Sequence, residues 1–357
     1  MQTLPSTRAH NNFGILRLAF AAMVVLSHAS ELVDGNRSRE LLTLLFGTIS
    51  FGELGVDGFF LISGYLITKS FDTSPGILNY LKKRVARIYP AFVVASIASI
   101  FLFAPLSGTD LAQLRVGDWT RAIKEMVLLQ PPPVPAFSGT HYPVLNGAMW
   151  TIAYEFRCYI LIALLGTLGF LRRREFVLPG AAVLMLLLAA KVAPPISASA
   201  IFYGNPPDAI RLTAAFLVGS SFYLYRDVIT YRSIYAALAA VVLLLGMFVP
   251  RLAEPALFIF GGYLIFWLAF AAPVFGRLFT TYDISYGLYL YAWPIQSALV
   301  FFHPNVAPWK MFSISLLSSA ICGFLSWIFI EKRTLLWAHR TFTNSEADLT
   351  ERIPLIR

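Results

Sequence analysis

Apolar runs of membrane-crossing length, separated by short charged loops, dominate the chain. A helix that crosses a bilayer needs about 20 mostly apolar residues. The stretches 88–109, 233–250, 255–276, 284–309 and 311–330 contain no Asp, Glu, Lys or Arg. Five more, 13–33, 52–69, 147–170, 176–194 and 208–225, are apolar but carry isolated charges. The pattern predicts an all-α polytopic membrane protein with about ten transmembrane helices. Three parts follow: an N-terminal segment over 1–12, a transmembrane domain over 13–332 and a tail over 333–357.

Positive charge orients this pattern. Cytoplasmic loops of membrane proteins carry the excess of Lys and Arg. With a cytoplasmic N-terminus, the inner segments hold 18 of these residues and the outer loops 8. Both termini are therefore expected in the cytoplasm, in keeping with an even helix count.

Composition sharpens the class. Of 357 residues, 57% are hydrophobic and 13% charged, with mean hydropathy +0.68. Soluble domains are about 25% charged. The net charge of +9 sits in short loops and forms no basic stripe, which argues against nucleic acid as a partner. Cys158 and Cys322 each lie in an apolar run, with no CxxC or Cys/His zinc spacing, so no metal site is expected. Arg8 and the run 18–27 imitate a signal peptide, but the later spans argue against cleavage. The longest loop, about 105–146, contains a short helical stretch over 119–130 and the stiff Pro131-Pro132-Pro133-Val134-Pro135.

The interrupted spans carry the chemistry. Arg17 and His28 share the first span, and a charged group in hydrocarbon costs roughly 3 kcal/mol. Eleven helical steps make about three turns, so both side chains lie on one face, about 16 Å apart along the axis. Four more stretches stand out. They are Gly52-Glu53-Leu54-Gly55-Val56-Asp57-Gly58 running on to Ser63-Gly64-Tyr65-Leu66-Ile67-Thr68, Lys82-Lys83-Arg84-Val85-Ala86-Arg87-Ile88-Tyr89-Pro90, Trp150-Thr151-Ile152-Ala153-Tyr154-Glu155-Phe156, and Ile284-Ser285-Tyr286-Gly287 running on to Tyr291-Ala292-Trp293-Pro294.

In this order, over residues 13 to about 332, these stretches closely resemble the acyltransferase-3 family of integral-membrane O-acyltransferases. The likeness is to the exopolysaccharide and O-antigen acetyltransferase type, without a hydrolase-like C-terminal domain. The resemblance implies transfer of an acyl group, most often acetyl, to a glycan hydroxyl in the inner membrane of a bacterial cell. It implies acyl-CoA (acetyl-CoA) as donor, taken from the cytoplasm, a glycan or lipid-linked glycan as acceptor, no bound cofactor, and essential roles for Arg17 and His28. Two departures stand out. Many relatives have a histidine where this chain has Ala292, and many continue Glu-Lys-Pro where it has Glu331-Lys332-Arg333.

Roles follow from side-chain chemistry. Transfer from a thioester to a hydroxyl needs a base, and imidazole changes protonation near neutrality. His28 is the candidate base, with a covalent acyl-histidine as the variant. Glu155 is expected either to orient His28, as a triad carboxylate does, or to pair with Arg157 or Arg211. Arg17, Arg84 and Arg87 are the candidates to grip the donor phosphates. Asp57, Ser63, Tyr65, Trp150 and Tyr159 are expected to line or support the cavity. Ser63 lacks the surroundings of a nucleophile elbow. A transporter using Arg17, His28, Glu155 and Arg211 as a polar path is the alternative from another class; the absence of paired half-repeats counts against it. A lipid or small-molecule acceptor is a further alternative.

Overall fold

The computed structural model describes residues 11–191, 206–271 and 282–338. His10, His339, and most of the N-terminal segment and tail lie outside them. Among the described residues the only β-pairing is one isolated bridge between Pro135 and Val144.

Among the described residues six helices are long and apolar enough to cross a membrane: Phe13–Asp34 (α1), Phe51–Asp72 (α3), Ile77–Leu106 (α4), Gly147–Thr167 (α6), Ala253–Phe270 (α10) and Pro308–Ala338 (α12). Between them come Leu41–Phe46 (α2), Val116–Val127 (α5), Val177–Ala189 (α7), Pro206–Leu224 (α8), Ser233–Met247 (α9) and Ser285–Phe302 (α11). Ten spans are expected, and six helices among the described residues reach that length and apolarity. The others fall short for local reasons: α7 has 13 residues, α8 carries Asp208, Arg211 and two prolines, and α11 contains Gln296 and an internal proline, Pro294. One boundary also moves. The helix that carries the span 88–109 starts earlier, at Ile77, and Lys82, Lys83, Arg84 and Arg87 ride on its first turns. The short helix expected over 119–130 occupies Val116–Val127.

The chain divides into two compact units, one from 1–66 with 173–286 and the other from 67–172 with 287–357. In the first, α3 is packed through its glycines. A Cβ on Gly55 would lie 2.6 Å from the Phe20 carbonyl oxygen of α1. A Cβ on Gly64 would lie 2.0 Å from the Phe216 carbonyl oxygen of α8, and one on Gly219 would lie 2.0 Å from that of Leu61. Small residues allow this close approach in a bilayer, where lipid supplies no hydrophobic drive between helices.

In the second unit Gly287 of α11 meets Gly323 of α12, where a Cβ would lie 2.6 Å from the Gly323 Cα. Phe137, Leu145, Val134 and Ala136 of the long loop pack on Ile100, Ala104 and Ala122. Three helices contain π-helical turns, at Ser99–Phe103, Leu257–Gly261 and Trp327–Glu331. Such turns insert one extra residue into a helical turn. Cys158 and Cys322 are not joined by a disulfide.

Candidate active site

The site begins where α1 ends. Gly35 stops the helix in the left-handed conformation, with φ 71°, and its N–H donates to the Glu31 carbonyl at 2.8 Å. Gly is the residue best suited to that conformation. One turn before this cap, His28 and Glu31 face each other at i, i+3. The buried His28 ring meets Glu31 through Nδ1–Oε2 at 2.9 Å. A carboxylate only accepts, so Nδ1 carries the hydrogen, and in the neutral ring the lone pair lies on Nε2.

Glu31 was not singled out by sequence reading, although a carboxylate three residues after a membrane histidine is a legible signal. Arg37, in the loop that follows, binds the same carboxylate. Its Nε and Nη2 donate to the same Glu31 Oε2 at 3.2 and 3.0 Å, and its Nη1 donates to Ser50 Oγ at 3.1 Å.

Arg17 lies on α1 about 16 Å along the axis from His28. Its Nη2 pairs with Asp283 Oδ2 at 3.1 Å, and Asp283 also accepts from Ser285 Oγ at 2.7 Å. Arg17 Nε has no hydrogen-bond partner among the described residues. Farther along α3, the fully buried Asp57 faces Arg211 Nη1 at 3.6 Å, and Glu53 stands 4.0 Å from the same nitrogen. Neither Asp57 oxygen has a hydrogen bond among the described residues. Ser63 is buried, and Tyr65 sits among Phe13, Tyr223, Phe266 and Phe270 with centroids 5.0 to 5.9 Å away.

The remaining candidates belong to the second unit. Arg84 lies over the Tyr80 and Tyr159 rings, 5.9 and 5.8 Å from their centroids, and donates to Ser70 Oγ at 3.2 Å. Tyr159 O–H donates to Glu155 Oε1 at 2.7 Å, so Arg84, Tyr159 and Glu155 form one series. Arg87 pairs with the buried Glu331 at 3.2 Å, a counter-charge sequence reading did not anticipate. Trp150 packs edge-on against Tyr154, whose ring also lies 5.0 Å from the Arg157 guanidinium. His141 is exposed. No cluster of three or more metal-binding side chains occurs among the described residues.

A histidine held by a carboxylate in a membrane helix, with arginines elsewhere in the same fold, suits group transfer. Comparison with known proteins decides the class. The family model described as an acyltransferase domain matches residues 10–330. The chain belongs to this acyltransferase family. It is 28% identical over 337 residues to an O-acetyl transferase of Shigella phage Sf6, an alignment covering 91% of this chain and 96% of that one. It is 30% identical over 172 residues to nodulation protein 10 of Rhizobium leguminosarum bv. viciae, covering 45% of each. No solved structure matches. The chain is accordingly a membrane O-acyltransferase.

Proposed function

We propose that this acyltransferase moves an acetyl group from acetyl-CoA to a hydroxyl of a cell-surface or exported glycan. It works in the bacterial inner membrane, with ten helices and both termini in the cytoplasm. The observation that carries the reading is the Nδ1 bond from His28 to Glu31, which puts the basic lone pair on Nε2. A positioned base of this kind contributes typically 10²–10⁴-fold in rate.

In this reading the acceptor hydroxyl loses its proton to His28 Nε2 while its oxygen attacks the thioester carbonyl carbon. The C–S bond breaks, the ester C–O bond is formed, and the CoA thiolate takes the proton back from the imidazolium. No net proton is produced. Glu31 holds the ring and stabilises its transient positive charge. In the first unit Arg17, with a buried Nε lacking a hydrogen-bond partner among the described residues, is a cation suited to a phosphate of the donor, and in the second unit Arg84 has the same property. Arg87 is the weaker candidate, because Glu331 already engages it. Transfer onto a polar glycan accords with the O-acetyl transferase aligned along almost the whole chain.

The test is transfer of label from radiolabelled acetyl-CoA to host glycan in membranes, comparing wild type with His28→Ala. Wild-type transfer should fall at least about 10²-fold in the variant. Equal transfer by both, or no label on any glycan, overturns the reading.

A further inference from the structure

The loop after α1 contains Arg37, whose guanidinium makes three hydrogen bonds, and the chemistry above does not use it. We propose that Arg37 is a positioning residue for the catalytic base, acting on His28 through Glu31. This rests on His28 being the base.

A single oxygen is the pivot. Glu31 Oε2 accepts from His28 Nδ1 at 2.9 Å, from Arg37 Nη2 at 3.0 Å and from Arg37 Nε at 3.2 Å. A carboxylate bonded to a neutral imidazole alone would be an uncompensated charge at a membrane helix end. The guanidinium supplies the counter-charge, and its planar fork fixes where that oxygen sits.

The guanidinium is itself held from behind. Its Nη1 donates to Ser50 Oγ at 3.1 Å. Ser50 opens α3 in reciprocal capping with Glu53: the Ser50 N–H and O–H both donate to Glu53 Oε2 at 2.8 Å, and the Glu53 N–H donates back to Ser50 Oγ at 3.2 Å. Arg37 therefore spans from the α1 carboxylate to the α3 cap. Gly52 packs closely on α1 beside it, since a Cβ there would lie 2.8 Å from Ser27 Oγ.

The backbone on either side is tied too. Asn36 Oδ1 accepts from the Ser38 N–H at 2.9 Å, Arg39 pairs with Asp34, and the Glu40 N–H donates to the Arg37 carbonyl at 3.1 Å. The side of approach decides the role. Arg37 reaches the ring through Nδ1, behind the reacting Nε2, so it orients the base and is not a donor to the reacting oxygen.

The experiment compares kcat and both KM values for wild type, Arg37→Ala, Arg37→Lys and Ser50→Ala, with His28→Ala as reference. Arg37→Ala should lose kcat about ten- to hundredfold, in the range of other outer-shell partners, with both KM values unchanged. Because the Arg37 side chain is 31% exposed, added guanidinium ion should restore part of that rate. Arg37→Lys should fall between wild type and Arg37→Ala, and Ser50→Ala should show the smallest loss. Full kcat in Arg37→Ala overturns the inference. So does a raised acceptor KM at constant kcat, which marks a substrate contact, or a rate loss that guanidinium leaves untouched. Wild-type activity in His28→Ala would instead overturn the assignment of the base.

Discussion

Two buried charge clusters in the first unit are built differently. Around His28 the bonds that link Glu31, Arg37 and Ser50 are 2.9 to 3.2 Å long and leave little freedom for the ring. Around Arg211 the contacts are 3.6 and 4.0 Å, and the carboxylate oxygens of Asp57 lack hydrogen bonds among the described residues. Charge balance alone is enough to keep an ion in a helix bundle. Orientation needs short, directional bonds. The first cluster has the construction of a reaction centre, and the second that of a neutralised pair at a helix crossing.

Four substitutions would break or sharpen this contrast. The largest effect is expected at Gly64→Ala, because the new Cβ meets the α8 backbone 2.0 Å away with nothing flexible to yield. Little folded protein should appear on size-exclusion chromatography, whereas Gly180→Ala, with nothing within 4 Å, should elute as wild type. Glu31→Gln should come next. It keeps the shape but removes the charge that orients and stabilises the imidazolium, and kcat in the transfer assay should fall by about 10³-fold with the fold intact.

Asp57→Asn should do the reverse. It should destabilise by about 3–5 kcal/mol, because Arg211 stays buried without its counter-ion. Replacing both residues by apolar ones should recover most of the loss in thermal-unfolding measurements. The smallest effect is expected at Asp283→Asn. It releases Arg17 from a competing carboxylate, so the KM for acetyl-CoA should drop a few-fold with kcat unchanged, since a partly exposed ion pair is worth about 1 kcal/mol or less.

The all-α class and the motif-bearing helices were legible because membrane crossing imposes long apolar runs. His28 and Arg17 were legible because polar groups in such runs are costly. Glu31 was within reach, one turn from His28. Arg37 was not, because charge statistics treat every loop arginine as a topology signal and say nothing of where its side chain folds back. The partners Asp283 and Glu331 were hidden for another reason. They lie 266 and 244 residues from Arg17 and Arg87, and no local pattern records such pairings. Glu155 accepts from Tyr159 one turn further on, and Glu31 is the carboxylate on His28 Nδ1.

The π-helical turn at Trp327–Glu331 makes chain length itself a variable. Each residue of an ordinary helix turns the following side chains by about 100°. Glu331 meets Arg87 from a turn that holds one residue more than its neighbours. A deletion of one residue there would swing Glu331 away from Arg87 and leave a bare cation on α4, though no charged residue had been changed. Relatives that differ here by a single gap would therefore differ in charge balance as surely as if they differed by a substitution.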